Sequence, residues 1–159
     1  MQKTNAMRLL EDGGVTFQSY EYDATQGVDA VSVARYLQKP TEQIFKTLVT
    51  EGNPREYFVF VVPAGSELDL KKAAKAAGQK SLSMLPQKRL LPVTGYIHGG
   101  CSPIGMKKDF PVFIDETAIL FDTICVSGGK VGLTLEVDPN QLAAFVKAPF
   151  VDLTHEVEK

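Results

Sequence analysis

The residue with the most chemical interest is a lysine, Lys46, set inside the apolar run Ile44-Phe45-Lys46-Thr47-Leu48-Val49. In an extended strand alternate side chains share a face, so Lys46 lies with Ile44 and Leu48 while Phe45, Thr47 and Val49 turn the other way. An unpaired ammonium is costly to bury. Such a lysine is therefore carried to solvent at a sheet edge, or it stands at a pocket wall. In the second case its charge meets an anionic ligand or a developing oxyanion. Two glycine-bearing loops use related chemistry. In Gly95-Tyr96-Ile97-His98-Gly99-Gly100-Cys101-Ser102-Pro103-Ile104-Gly105, paired glycines let a ligand approach the main chain, and free amides there form an anion nest. Val126-Ser127-Gly128-Gly129-Lys130 offers a hydroxyl, two permissive amides and a cation. Each loop alone also reads as an ordinary connector; as a pair they could face each other across a pocket.

Several other chemistries are excluded. The histidines, His98 and His155, are far apart, and with Cys101 and Cys125 they do not have zinc-ligand spacing. No G-x-S-x-G elbow is present, and no Ser-His-Asp arrangement follows from spacing. Cys101 lies close to His98 but reads better as a small loop or core thiol than as a nucleophile. No metal and no cofactor are expected. Lys71, Lys72, Lys75 and Lys80 gather in one stretch, with Lys107 and Lys108 later. They form a solvated helix face or a local basic patch in a chain whose net charge is −2.

The elements that would position these residues follow from periodicity and punctuation. Thr4 caps a first helix ended by Gly13-Gly14, and residues 15–22 alternate as a strand. A helix from Asp29 or Ala30 to Leu37 stops before Pro40. Residues 44–50 and 57–62 form a hairpin around Gly52-Asn53-Pro54, and their apolar runs predict the middle of a sheet or barrel wall. Asp69 caps a helix from Leu70 to Ala77, closed by Gly78. Residues 86–113 read as a glycine- and proline-rich connection. Residues 119–126 and 131–137 are strands, and Asp138 opens a last helix to Val146. This order is not a regular βαβ alternation. It predicts an α/β mixed (α+β) domain: a mixed, largely antiparallel, barrel-like sheet surrounded by helices.

Length and composition agree. A chain of 159 residues, 44% hydrophobic and 23% charged, is expected to form one domain over residues 1–159 with a real core. Its start lacks a signal-peptide pattern, and no apolar run approaches the ~20 residues of a membrane span. Two cysteines suggest no disulfide framework, which predicts a soluble, cytoplasmic protein.

Together, Phe45-Lys46-Thr47-Leu48, the segment from Leu68 to Lys75, the loop from Gly95 to Gly105 and Val126 to Leu133 resemble the YbaK family of free-standing aminoacyl-tRNA editing domains. The resemblance runs from about residue 5 to 153. It implies a barrel-like β fold with surrounding helices, also found as an insertion in bacterial prolyl-tRNA synthetases, and hydrolysis of mischarged aminoacyl-tRNA. Gly-Gly-x-Ser-Pro-x-Gly and Ser-Gly-Gly-Lys look like the branch that removes cysteine from tRNA for proline, a branch that can act with prolyl-tRNA synthetase. On this resemblance Lys46 is the residue on which activity depends. Tyr20, Thr47, Gly99, Gly100, Ser127, Gly128 and Gly129 fall at pocket positions, and Cys101 is a variable position without a catalytic role. The acceptor end of aminoacyl-tRNA is the implied partner, with no membrane and no metal. The resemblance also suggests that the cysteinyl thiol of the substrate attacks its own ester. Alternatives are editing of another amino acid such as alanine, a non-catalytic module that binds the acceptor end or the synthetase, and, more remotely, Schiff-base chemistry on Lys46.

Overall fold

The computed structural model describes residues 3–155, so the ends of the expected 1–159 span lie outside the described residues. Helix α1 (Asn5–Asp12) starts where the Thr4 hydroxyl accepts from the Met7 amide, and its Ala6, Met7 and Leu10 are buried. Strand β1 (Phe17–Glu21) leads to α2 (Ala30–Leu37), which ends where Gln38 adopts a left-handed conformation. The hairpin β2 (Phe45–Glu51) and β3 (Tyr57–Pro63) pairs in full register, with Lys46 opposite Val62. After the short β4 (Glu67–Leu68), Asp69 caps α3 (Leu70–Ala77) by accepting from the Lys71 and Lys72 amides, and left-handed Gly78 closes it. The caps satisfy amides and carbonyls that a helix cannot pair internally.

The connection expected over residues 86–113 is more structured than its glycines and prolines imply. Strand β5 (Ser83–Met84) precedes helix α4 (Gln87–Thr94), and β6 (Val112–Asp115) follows. Pro92 lies inside α4, where proline removes an amide donor. Leu90 and Val93 pack on the core and hold this turn in place against that loss. Only the last part of the strand expected over 119–126 is extended. Residues Glu116–Leu120 form a 3-10 turn capped by Asp115, and β7 runs over Ile124–Ser127. Strand β8 (Leu133–Val137), α5 (Pro139–Val146) capped by Asp138, β9 (Phe150–Val151) and β10 (Thr154–His155) complete the order.

These elements build a mixed α/β fold of two main sheets. One is five-stranded in the order β5-β2-β3-β6-β9, antiparallel except for parallel β3–β6 and β6–β9. The other is the antiparallel set β1-β8-β7. A single parallel bridge between Ile44 and Cys125 joins them, so the barrel-like wall stays open. The core between the sheets holds Phe45, Val49, Val59, Val61, Ile114, Val126, Leu133 and Leu135, with α1 and α5 packed on it. A second cluster places Ala73 and Ala74 of α3 over Phe58, Phe60 and Val62, and a third seats α2 against Ile44 and Cys125.

Candidate active site

The site follows from how β2 parts from its neighbours. Ile44 bridges to Cys125 of β7, and Thr50 and Glu51 pair with β5. Among the described residues no strand pairs with β2 between these points on that edge. The Ile44 carbonyl accepts from Ala64 on the β3 side, whereas the Val49 carbonyl accepts from Leu85 on the other. Backbone direction alternates along a strand, so Thr47 turns its amide and carbonyl into the gap. There β2 and β7 splay around a cavity of about 430 Å³.

Lys46 lines this cavity. Phe45 and Val49 enter the central core while Leu48 packs toward α3, so Lys46 shares the α3 face, as alternation requires. It makes no ion pair among the described residues. Burial pushes its pKa below the usual lysine value, and the Glu67 charge only partly opposes this. Thr47 lines the cavity as well, and its buried hydroxyl has no hydrogen-bond partner among the described residues. A buried polar atom left unpaired costs about 1–3 kcal/mol.

The two glycine loops do meet. A side chain at Gly100 would come within 2.9 Å of the Val131 amide and 3.0 Å of the Lys130 carbonyl carbon, so the loops pack main chain to main chain there. Gly99, with φ +85°, lines the cavity, and Ser127 lines it from the other loop. Gly100, Gly128 and Gly129 stand behind the lining. The Gly100 amide donates to the Ile97 carbonyl, that of Gly128 to Leu133, and that of Gly129 to the Ser127 hydroxyl. These bonds shape the loops. The Gly128 carbonyl also accepts from the Thr4 hydroxyl at 2.6 Å, tying α1 to the second loop.

Tyr20 is not among the lining residues. It pairs across the sheet with Thr134, which does line the cavity, but its hydroxyl donates to Glu136 at 2.7 Å. Tyr22 is the tyrosine at the cavity, its ring stacked on Tyr36 with centroids 5.3 Å apart. Sequence reasoning also missed Val28, Asp29, Ala30 and Val33, brought in by the start of α2, and Leu90 of α4. Period-two alternation gives Tyr20 and Tyr22 the same face, so no local signal separates them.

Four further lining groups bear on the chemistry. Burial pushes the Cys101 and Cys125 thiols up to about 12, so both stay neutral and are poor nucleophiles. Asp29 accepts from the Ser32 hydroxyl at 2.6 Å, and this bond holds its carboxyl below the usual range. His98 stands exposed at the mouth. Among the described residues no group of three or more His, Cys, Asp or Glu could hold a metal ion, and no helix is long and apolar enough to cross a membrane. A larger cavity, about 620 Å³, lies behind the first loop at Pro103–Gly105. It contains none of the sequence-predicted site residues, so the smaller one is the candidate site.

Comparison with known proteins identifies the family. Residues 25–145 match the family model of the aminoacyl-tRNA editing domain. The chain is 46% identical over 154 residues to an Enterococcus faecalis protein, covering 96% of this chain and 94% of that one. That relative carries the provisional name Cys-tRNA(Pro)/Cys-tRNA(Cys) deacylase EbsC. YwhH of Bacillus subtilis, an uncharacterized protein, is 24% identical over 144 residues, 90% of this chain and 87% of its own. A crystal structure described provisionally as a trans-editing enzyme for prolyl-tRNA synthetase superposes with a TM-score of 0.83 at 25% identity. It covers 98% of this chain and 100% of its own.

Proposed function

The chain belongs to the YbaK family of aminoacyl-tRNA editing domains, and from that premise we propose that it hydrolyses Cys-tRNA(Pro) in the cavity beside Lys46. One observation carries the reading. Lys46, half-buried and without an ion pair among the described residues, and Thr47, whose buried hydroxyl is unpaired among them, line a cavity that Gly99 and Ser127 of two interlocked glycine loops also line. The terminal aminoacyl ester enters at this mouth. The Lys46 ammonium stabilises negative charge on the carbonyl oxygen or holds the terminal phosphate. Preorganised donors of this kind contribute roughly 3–4 kcal/mol in acyl transfer.

The attacking group is the substrate's own thiol. Its sulfur bonds to the ester carbonyl carbon and the carbon–oxygen bond to the ribose breaks. The released ribose hydroxyl takes a proton, and water then opens the resulting thiolactone to free cysteine. Neutral Cys101 and Cys125 and the hydrogen-bonded Asp29 support this route, because none of them is poised to act in the thiol's place. The protein works in the cytoplasm, where its substrate is made, with prolyl-tRNA synthetase as the natural partner.

Deacylation of Cys-, Ser- and Ala-tRNA(Pro) by wild type and Lys46→Ala tests this. The expected result is fast cleavage of the cysteinyl ester alone, lost in Lys46→Ala. Equal rates on all three esters would remove the substrate-assisted route. Faster cleavage of the alanyl ester would favour alanine editing, and binding without turnover would favour a non-catalytic module.

A further inference from the structure

The charges of this chain are segregated. Residues 70–108 contain eight of its 17 lysines and arginines, namely Lys71, Lys72, Lys75, Lys80, Lys88, Arg89, Lys107 and Lys108, and none of its 19 carboxylates. Nine cations and nineteen carboxylates remain elsewhere. The net charge of −2 thus hides a basic segment set against an acidic remainder. A uniform solvated surface has no reason to sort its charges in this way.

The fold lays that segment along the open edge of β2. Gln79 and Leu82 pack under Gly52 at the hairpin end, β5 pairs with Thr50 and Glu51, and the Leu85 amide reaches Val49. Leu90, His98 and Gly99 then arrive at the cavity. Two of the cations are committed to the protein: Lys72 to Asp152 at 2.9 Å and Arg89 to Glu51 at 2.8 Å. Lys71, Lys75, Lys80 and Lys88 are exposed and make no ion pair among the described residues.

Helix geometry orients the first two. Ala73 and Ala74 face the sheet, and Lys72 reaches toward the β9 side, where Asp152 follows that strand. At 100° per residue, Lys71 lies about a quarter-turn from Lys72 on α3, with Lys75 one turn beyond Lys71, both away from the face that Ala73 and Ala74 bury. Lys46 points to the α3 face of β2. Lys71 stands at the start of α3 just after β4, Lys80 follows Gln79 at the hairpin end of β2, and Lys88 precedes Arg89, which bonds Glu51 there. Lys107 and Lys108 lie elsewhere: Lys107 bonds the Pro92 carbonyl at 3.3 Å, and Lys108 borders the larger cavity behind the loop.

We propose that Lys71, Lys75, Lys80 and Lys88 form a phosphate track that binds the backbone of the acceptor arm while its end occupies the cavity. This rests on the functional reading above. It identifies the polyanionic part of the substrate and the surface that receives it. Contacts of this kind are independent of base sequence and act by releasing counterions.

The test is binding of uncharged tRNA, followed by fluorescence anisotropy across a salt series, for wild type and a quadruple variant Lys71→Ala, Lys75→Ala, Lys80→Ala, Lys88→Ala. Each phosphate contact contributes roughly 0.7–0.9 to the slope of log affinity against log salt, so the variant's slope should fall by about 3. Lys107→Ala with Lys108→Ala should leave the slope unchanged. A cysteinyl ester of a short acceptor-end fragment should be cleaved equally by wild type and the quadruple variant, while full-length Cys-tRNA is cleaved more slowly by the variant. An unchanged slope, or an equal loss from both lysine sets, would overturn the track. Because uncharged tRNA needs no turnover, failure of wild type to deacylate any ester would count against the proposed function and leave the binding result standing.

Discussion

Two partly buried lysines flank the junction of the sheets, and the protein treats them oppositely. Lys39, just after α2, gives its ammonium to Glu136 at 3.0 Å. That carboxylate also accepts from the Tyr20 and Thr123 hydroxyls, and Gln43 donates to Thr123. The hydrogen bond that Lys39 donates to Glu136 raises the Lys39 pKa. Burial pushes the Glu136 carboxyl up, but bonds from Thr123, Tyr20 and Lys39 outweigh it and hold the group below its usual range. Lys46 donates no such bond among the described residues, and burial lowers its pKa. A cation with a full set of partners braces two elements. One left without partners keeps its field for a ligand. The Glu136 network is thus the clamp that seats α2 on β1, β7 and β8, and α2 supplies one wall of the cavity that Lys46 lines.

The sharpest way to break this comparison is to remove each centre in turn. Lys46→Met should lower kcat/KM on Cys-tRNA(Pro) by roughly 100-fold or more. It should leave stability equal or higher, since it also removes a desolvated charge. Glu136→Gln should do the reverse, costing about 2 kcal/mol in a urea titration, with a much smaller loss of rate. A stability loss in Lys46→Met as large as that in Glu136→Gln would make both lysines structural.

Acidity separates the pair next. The folded Glu136 carboxyl sits below its unfolded value, so its contribution is present at neutral pH. It fades as pH falls from the unfolded value through the folded one. Thermal midpoints measured from pH 7 downward should drop less steeply in Glu136→Gln than in wild type. The Lys46 centre responds at the alkaline end. Deacylation should rise as the substrate thiol ionises and fall as Lys46 loses its proton, with that falling limb below the ordinary lysine value of ~10.4. Lys46→Arg should move the falling limb to higher pH in whatever activity it retains.

The smallest effect expected is at His98. Without a proton-transfer role, His98→Ala should change kcat/KM by no more than about threefold, whereas general-base catalysis is typically worth 100-fold or more. A loss of that size, with a matching loss of the acidic limb of the pH profile, would assign the attack to a protein-activated water.

Much of the scaffold was legible in the residues. Asp69 and Gly78 bracket α3, Asp138 opens α5, and the apolar runs at 44–50 and 57–62 form the hairpin, observed over Phe45–Glu51 and Tyr57–Pro63. Helix α4 was hidden because Pro92 argues locally against a helix, and only packing of Leu90 and Val93 offsets that. Strand β6 was hidden inside a proline-rich stretch and is extended because it pairs in parallel with β3, a contact about fifty residues distant in sequence.

In the site, Lys46, Gly99 and Ser127 were legible as anomalies of composition: a cation in an apolar strand, and glycines with hydroxyls after strands. The charge of Lys46 and its face of β2 follow from residue type and strand period alone. What surrounds it does not. That β2 and β7 part after one bridge, that the Thr47 hydroxyl is buried without a partner among the described residues, and that Tyr22 rather than Tyr20 lines the cavity all depend on contacts between residues far apart in the chain. Alternation fixes which residues share a face. Only tertiary packing decides whether that face meets solvent, a carboxylate or an open cavity, and so whether a buried lysine is a brace or a reactive charge.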